Sequence, residues 1–223
     1  MNDQREQDQE SESVKNAAQS ATERSESIRK DVHDITLRAL SHGRLDVKKV
    51  TQVVRAVMEG ASIGAQAKGE QVEVALKEAM GGLDEALAKS AEASKLAIEE
   101  TAGHVKDFGS HDLKQAVDNL QSLEELFVDT VQDVAKGTNH LVRGVLGDLV
   151  SHARQSGTSA GRTAYEAATS LNQQLAHTVK DTASAGAHAT LEVTAHIANA
   201  AAGILEGIAD SLHAGTRKKP DQE

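Results

Sequence analysis

Apolar residues recur on one pattern from near the start of this chain to near its end. From Ala17, steps of four, three and four residues return to the same phase every eleven. The path passes Ile28, Val32, Ile35, Val50, Val54, Val57, Leu76, Leu83, Leu87 and Ile98. It continues through Leu120, Leu123, Phe127, Val131, Val142, Val145, Leu149, Leu171, Leu175, Val193, Ile197, Ile204 and Ile208. Up to Gly215 its only charged members are Arg24, Asp46, Lys68 and Asp112. Two flanking columns, one with Val53, Phe108 and Leu141 and one with Val47, Met58, Met80, Leu113, Leu146, Val179 and Leu212, are also apolar or small. They add only Asp31 and Glu124 as charges. An eleven-residue repeat means about 3.67 residues per turn, close to the natural helical period, so the stripe stays on one side of a helix.

The pattern therefore predicts an all-α protein without sheet. No period-2 alternation competes with it. Because the phase does not slip, it predicts one very long amphipathic helix, or a helical hairpin, with stretches beyond 60 residues. At a rise of about 1.5 Å per residue, residues 14–215 would reach roughly 300 Å. Residues 1–13 read as an acidic disordered tail and residues 216–223 as a second disordered tail around Pro220, the one proline. A helix of this kind is not stable with its stripe in water, so the face must be covered.

Charge divides the rod. Residues 14–69 carry a net charge of +4, residues 70–133 carry −10, and residues 134–215 are alanine-rich and weakly charged. The first two zones can attract one another by folding back or between staggered chains. Glycines add local expectations. Gly81-Gly82 reads as a hinge, and the pairs Gly60/Gly64, Gly157/Gly161 and Gly203/Gly207 would permit close helix approach.

Composition narrows the chemistry. Cysteine and tryptophan are absent, and Tyr165, Phe108 and Phe127 are the only aromatic residues, which suits a thin helical interface better than a thick core. Without cysteine there is no disulfide or thiolate chemistry, in keeping with a reducing compartment. The acidic, polar start is the reverse of a signal peptide, and the most apolar stretch (residues 189–212) carries Glu192, His196, Glu206 and Asp210, too polar to span a bilayer alone. These features point to a cytoplasmic protein, at most peripheral to a membrane or granule.

No catalytic, cofactor or metal motif appears. His177, His188 and His196 stand too far apart along one helix to share an ion, as do His104 and His111. Carboxylate pairs such as Asp84/Glu85, Glu99/Glu100 and Glu124/Glu125 lie on an open helix with no pocket to tune them. A net charge of −10 and the lack of stacking aromatics argue against nucleic acid, and nothing suggests a small-molecule substrate. The expectation is a non-enzymatic protein with no cofactor.

The small, aromatic-poor eleven-residue face resembles those of group 3 late-embryogenesis-abundant proteins, perilipins and synucleins, and the alanine-rich composition is similar to that of phasins. That resemblance implies a surface-active coat or stress protectant on a lipid, polymer granule or desiccation interface. Perilipin-type and synuclein-type faces are usually edged by lysines, whereas here Arg44, Lys48, Arg55, Lys136, Arg143 and Arg154 point mostly away from the face. The alternative is a right-handed hendecad coiled coil that self-associates as a scaffold or spacer. In either case the interface would centre on Val54, Leu87, Leu120, Leu123, Phe127, Val131, Val142, Val145, Leu149, Leu171, Leu175, Val193, Ile197, Ile204 and Ile208.

Overall fold

A computed structural model describes the backbone of residues 2–41, 47–104 and 110–182, and side chains within 5–41, 47–99 and 116–173. The described residues are almost all helical, with no strand among them. The helices are α1 (Asn2–Arg24), α2 (Ile28–Ser41), α3 (Val47–Gln66), α4 (Val72–His104), α5 (Ser110–Gln121), α6 (Leu123–Lys136), α7 (His140–Ser156) and α8 (Ser159–Thr182). A short 3-10 turn at Gly69–Gln71 leads into α4.

The all-α expectation holds, but the described residues form no rod. The longest helix is α4, at 33 residues, and the helices fold back on one another. Local chemistry explains the breaks. After Gln66 the chain turns through Gly69, whose positive φ of 58° is open to glycine at little cost. Asn139 caps α7 by accepting a hydrogen bond from Val142 N at 3.0 Å, and Arg143 donates to the carbonyls of Lys136 and Thr138 at the end of α6. Gly157, at φ 74°, closes α7, and the Thr158 hydroxyl then accepts from Gly161 N to open α8. The segment expected as a disordered tail is also helical from Asn2. Glu10 reaches Lys49 of α3 at 2.6 Å, and Lys15 bridges Glu12 and Glu59. The tail at 216–223 lies outside the described residues.

Helix pairs are held by close approach. Gly60 lies against the backbone of Lys15 and Gly64 against that of Gln19, so α1 and α3 run parallel with almost no space between them. This is the intimate contact expected of the Gly60/Gly64 pair. Gly81-Gly82 serves the same purpose instead of acting as a hinge: α4 passes through both without interruption. Gly82 faces the carbonyl of Arg29 in α2, and the Arg29 guanidinium lies over Gly81. On the other side of α4, Asp84 meets the start of α8 and Glu99 meets Ser170, so α4 and α8 are also parallel. Helices α6 and α7 form an antiparallel hairpin, with Arg154 reaching back to Asp129 at 2.7 Å.

Two glycine substitutions should have opposite signs. A Cβ at Gly82 would overlap the Arg29 carbonyl, so Gly82→Ala should cost about 2 kcal/mol through overpacking. Gly144, in mid-α7, has open space around its Cβ position, so Gly144→Ala should add up to about 1 kcal/mol of helix propensity. Thermal melts of the two variants, read by circular dichroism, check both; equal shifts would refute the packing assignment.

Candidate functional site

The candidate site is the repeat face, and the fold turns it inward. Val54, Leu87, Phe127, Val131, Val142 and Leu171 are fully buried, Leu120 and Leu123 nearly so, and Val145 and Leu149 are half-buried against the same core. Leu175 lies in α8, but its side chain is outside the described residues, as are Val193, Ile197, Ile204 and Ile208. One chain thus brings the expected interface residues of residues 54–171 together against itself.

Most other buried apolar side chains belong to the same five columns. Ala18, Leu40, Ala93, Val117, Val128 and Val150 lie just beside the stripe and Ala56 a little farther out, while Leu37 is on the far side of its helix. Helix α2 buries Leu37 and Leu40 outside the columns because it packs on α1, α3 and α4 together. Alanine supplies much of the remainder, which is why the helices approach so closely. On the outside, Val74, Leu141 and Tyr165 are the most exposed large apolar side chains among the described residues, and they lie on separate helices.

The charges on the face are placed where they need not be buried alone. Arg24 ends α1, Asp31 lies in the first turn of α2 and Glu124 in the first turn of α6, each with the sign the helix dipole favours. Lys68 sits in the turn before α4. Asp112 is the third residue of α5, and Asp46 immediately precedes α3 outside the described residues. Glu124 does more than complement a dipole. Its Oε1 accepts from Thr158 N at 2.8 Å and from Thr158 Oγ1 at 3.0 Å, while Asp84 of α4 accepts from Ser159 N at 2.9 Å and Ala160 N at 2.8 Å. Both residues belong to carboxylate pairs that read as solvated. No signal in the sequence announces this pairing across 34 to 76 residues, although Thr158 after Gly157 is a legible helix start.

A second polar cluster joins the basic and acidic zones. The Arg29 guanidinium donates to Glu78 at 2.9 Å and to Glu85 at 2.8 Å, and these bonds hold it above its ordinary pKa. In the same helix Lys30 donates to Asp34 at 2.9 Å, which raises the lysine. Burial pushes the Asp34 carboxyl up, but hydrogen bonds from Lys30 and His33 outweigh it and leave Asp34 below the usual carboxylate range. These residues border a cleft of about 780 Å³ that also touches Ser25, Lys68, Gln71 and Val74. Arg29, Lys30 and His33 are each matched by a carboxylate inside it, so the cleft offers no one-signed lining to a charged ligand. No group of three or more potential ligands among the described residues could hold a metal ion, and no described helix is long and apolar enough to cross a membrane.

The Asp34 cluster should give stability a pH dependence of known sign. Its folded pKa is depressed, so its contribution is fully present above the unfolded value of about 3.9 and is lost as pH falls through the lower folded value. Denaturant titrations between about pH 2 and 5 should show a shallower acid loss for Asp34→Asn than for the parent. Parallel curves would remove the cluster from the account.

Residues 4–214 match the model of a family described as "Family of unknown function (DUF6781)", and the chain belongs to that family. No curated protein and no solved structure matches it.

Proposed function

We propose that this is a non-enzymatic, surface-active helical protein that covers a hydrophobic interface such as a lipid surface, a storage granule or a stress-exposed surface. It acts without cofactor or small-molecule substrate, in the cytoplasm and at the edge of whatever it coats. The closed bundle is its stored form. In the working form the helices separate and lay the eleven-residue face on the interface, approaching the long hendecad helix read from the sequence.

One observation carries the reading. The apolar phase continues through the turns at residues 25–27, 67–71, 137–139 and 157–158 as though they were helical. Most of the residues that form the core of the bundle are therefore also one stripe on a straightened chain. Interface and core would exchange the same apolar area, so opening loses little where a hydrophobic surface replaces the lost neighbours. The second reading, a hendecad coiled coil acting as scaffold or spacer, draws on the parallel α1/α3 and α4/α8 pairs. Chains could exchange such partners and self-associate.

The absence of native cysteine allows a clean test. Cysteines at Glu10 and Lys49 joined by a short bismaleimide tie α1 to α3 without touching the face. The unlinked protein should be a helical monomer in dilute solution and bind neutral phosphatidylcholine vesicles, and the linked protein should bind at least about ten-fold less, a difference of about 1.4 kcal/mol. A helical oligomer at micromolar concentration that ignores vesicles would replace the coat with the scaffold.

A further inference from the structure

We infer that α8 is the gate of the bundle, and that Asp84 of α4 and Glu124 of α6 are the latch that holds it shut. The inference rests on the surface reading only for what the gate exposes; the latch itself stands on geometry.

Over its described side chains, helix α8 packs mainly through alanine, and its N-terminal end is held by carboxylates. Its described buried face is Ala160, Ala164, Ala167 and Ala168, with Leu171 as the one large side chain. Compare α3, which buries Val50, Val53, Val54, Val57 and Met58. Alanine removes far less apolar area from water than valine or methionine, so sliding or lifting α8 forfeits less. At its N-terminus, by contrast, two carboxylates from two other helices receive the orphan donors. Asp84 uses both oxygens, one for Ser159 N and one for Ala160 N. Glu124 receives both the amide and the hydroxyl of Thr158. Charge-assisted bonds of this kind are about twice as strong as neutral ones, and the helix dipole adds to them.

The latch has a shape as well as a charge. Gly161 leaves the space that the Glu124 carboxylate occupies; any Cβ there would collide with it. Asp84 cannot be replaced by its amide without loss, because one end of an asparagine side chain would point a donor at a backbone N–H. Release of these two groups therefore frees α8 while α1, α2 and α3, which make no bond to either carboxylate among the described contacts, keep their packing. When α8 lifts, it uncovers the stretch of α4 from Asp84 to Glu99 beside which it runs, which carries Leu87, Ala91 and Ile98 of the repeat face.

Hydrogen exchange on the full-length protein tests the latch by two independent routes. Asp84→Asn removes an acceptor, and Gly161→Ala displaces Glu124 without changing any charge. In both variants the amides of residues 159–173 should exchange about ten-fold faster or more, while those of α1 and α3 stay within about two-fold of the parent. Uniform acceleration across all helices, or unchanged protection in α8, would overturn the proposal. Neutral phosphatidylcholine vesicles then separate it from the surface reading. If α8 loosens and vesicle binding quickens, both stand. If α8 loosens and neither parent nor variant binds vesicles, the latch stands and the coat does not.

Discussion

An apolar stripe that never leaves one side of a helix must be covered along its whole length, and here the stripe is built largely of small residues. That combination sets the architecture. Valine and alanine faces bury little area unless backbones come very close, and only glycine permits the closest approach. Gly60 and Gly64 admit α1 against α3, and Gly82 admits α2 against α4. Large side chains such as Phe127, Leu37, Leu40, Met58 and Leu76 then fill the space between these tight pairs. The bundle is thin where glycine and alanine meet and thicker where leucine and phenylalanine do.

Helix content and the buried face were legible in the sequence because both follow from a period, and a period averages over many residues. Folding back was open as a helical hairpin or as attraction between the basic and acidic zones, but the number and places of the turns were not legible, although their signs were present. Arg24, Asp31, Lys68 and Glu124 interrupt the stripe, and each lies at or beside a helix end. As isolated charges on a long face they look like tolerated noise; as a set they mark where the face need not be covered. Glycine misled for a physical reason. A Gly-Gly pair suggests flexibility when conformational freedom is weighed alone, but Gly81-Gly82 is packed under Arg29, and its freedom is already spent on close approach. The real breaks use Gly69 and Gly157, where positive φ is required, and the caps Asn139 and Thr158. The acidic start failed differently: its helix depends on Lys49 and Glu59, partners about forty residues away that no local reading supplies.

Charge separation along the chain has a structural counterpart. The basic zone meets the acidic zone where Arg29 spans Glu78 and Glu85, one turn to either side of Gly81-Gly82. These groups are close to half exposed, and exposed pairs contribute little each. Their value lies in register: a guanidinium between two carboxylates seven residues apart fits only one sliding position of α2 on α4. The small-residue face cannot choose its own register, since one alanine resembles the next, and polar clusters at Arg29 and at Asp84/Glu124 choose it instead.

The apolar phase of the sequence also runs through the turns. A bundle needs each helix to present an apolar face to its neighbours, but it does not need the faces of successive helices to share one phase. A turn of three or five residues can rotate the next helix by any angle and the core can still close. Here the buried faces of α3, α4, α6, α7 and α8 fall mainly on the same five columns, whereas α1 buries Val14, Ala18 and Thr22 at and beyond one edge of them and leaves Ala17 exposed. That agreement adds nothing to the closed state. It has value in a state where neighbouring helices align end to end, whether on a surface or along a partner chain. The gate at α8 fits such a state, because the described buried face of that helix is mostly alanine and its polar hold is gathered at a single end.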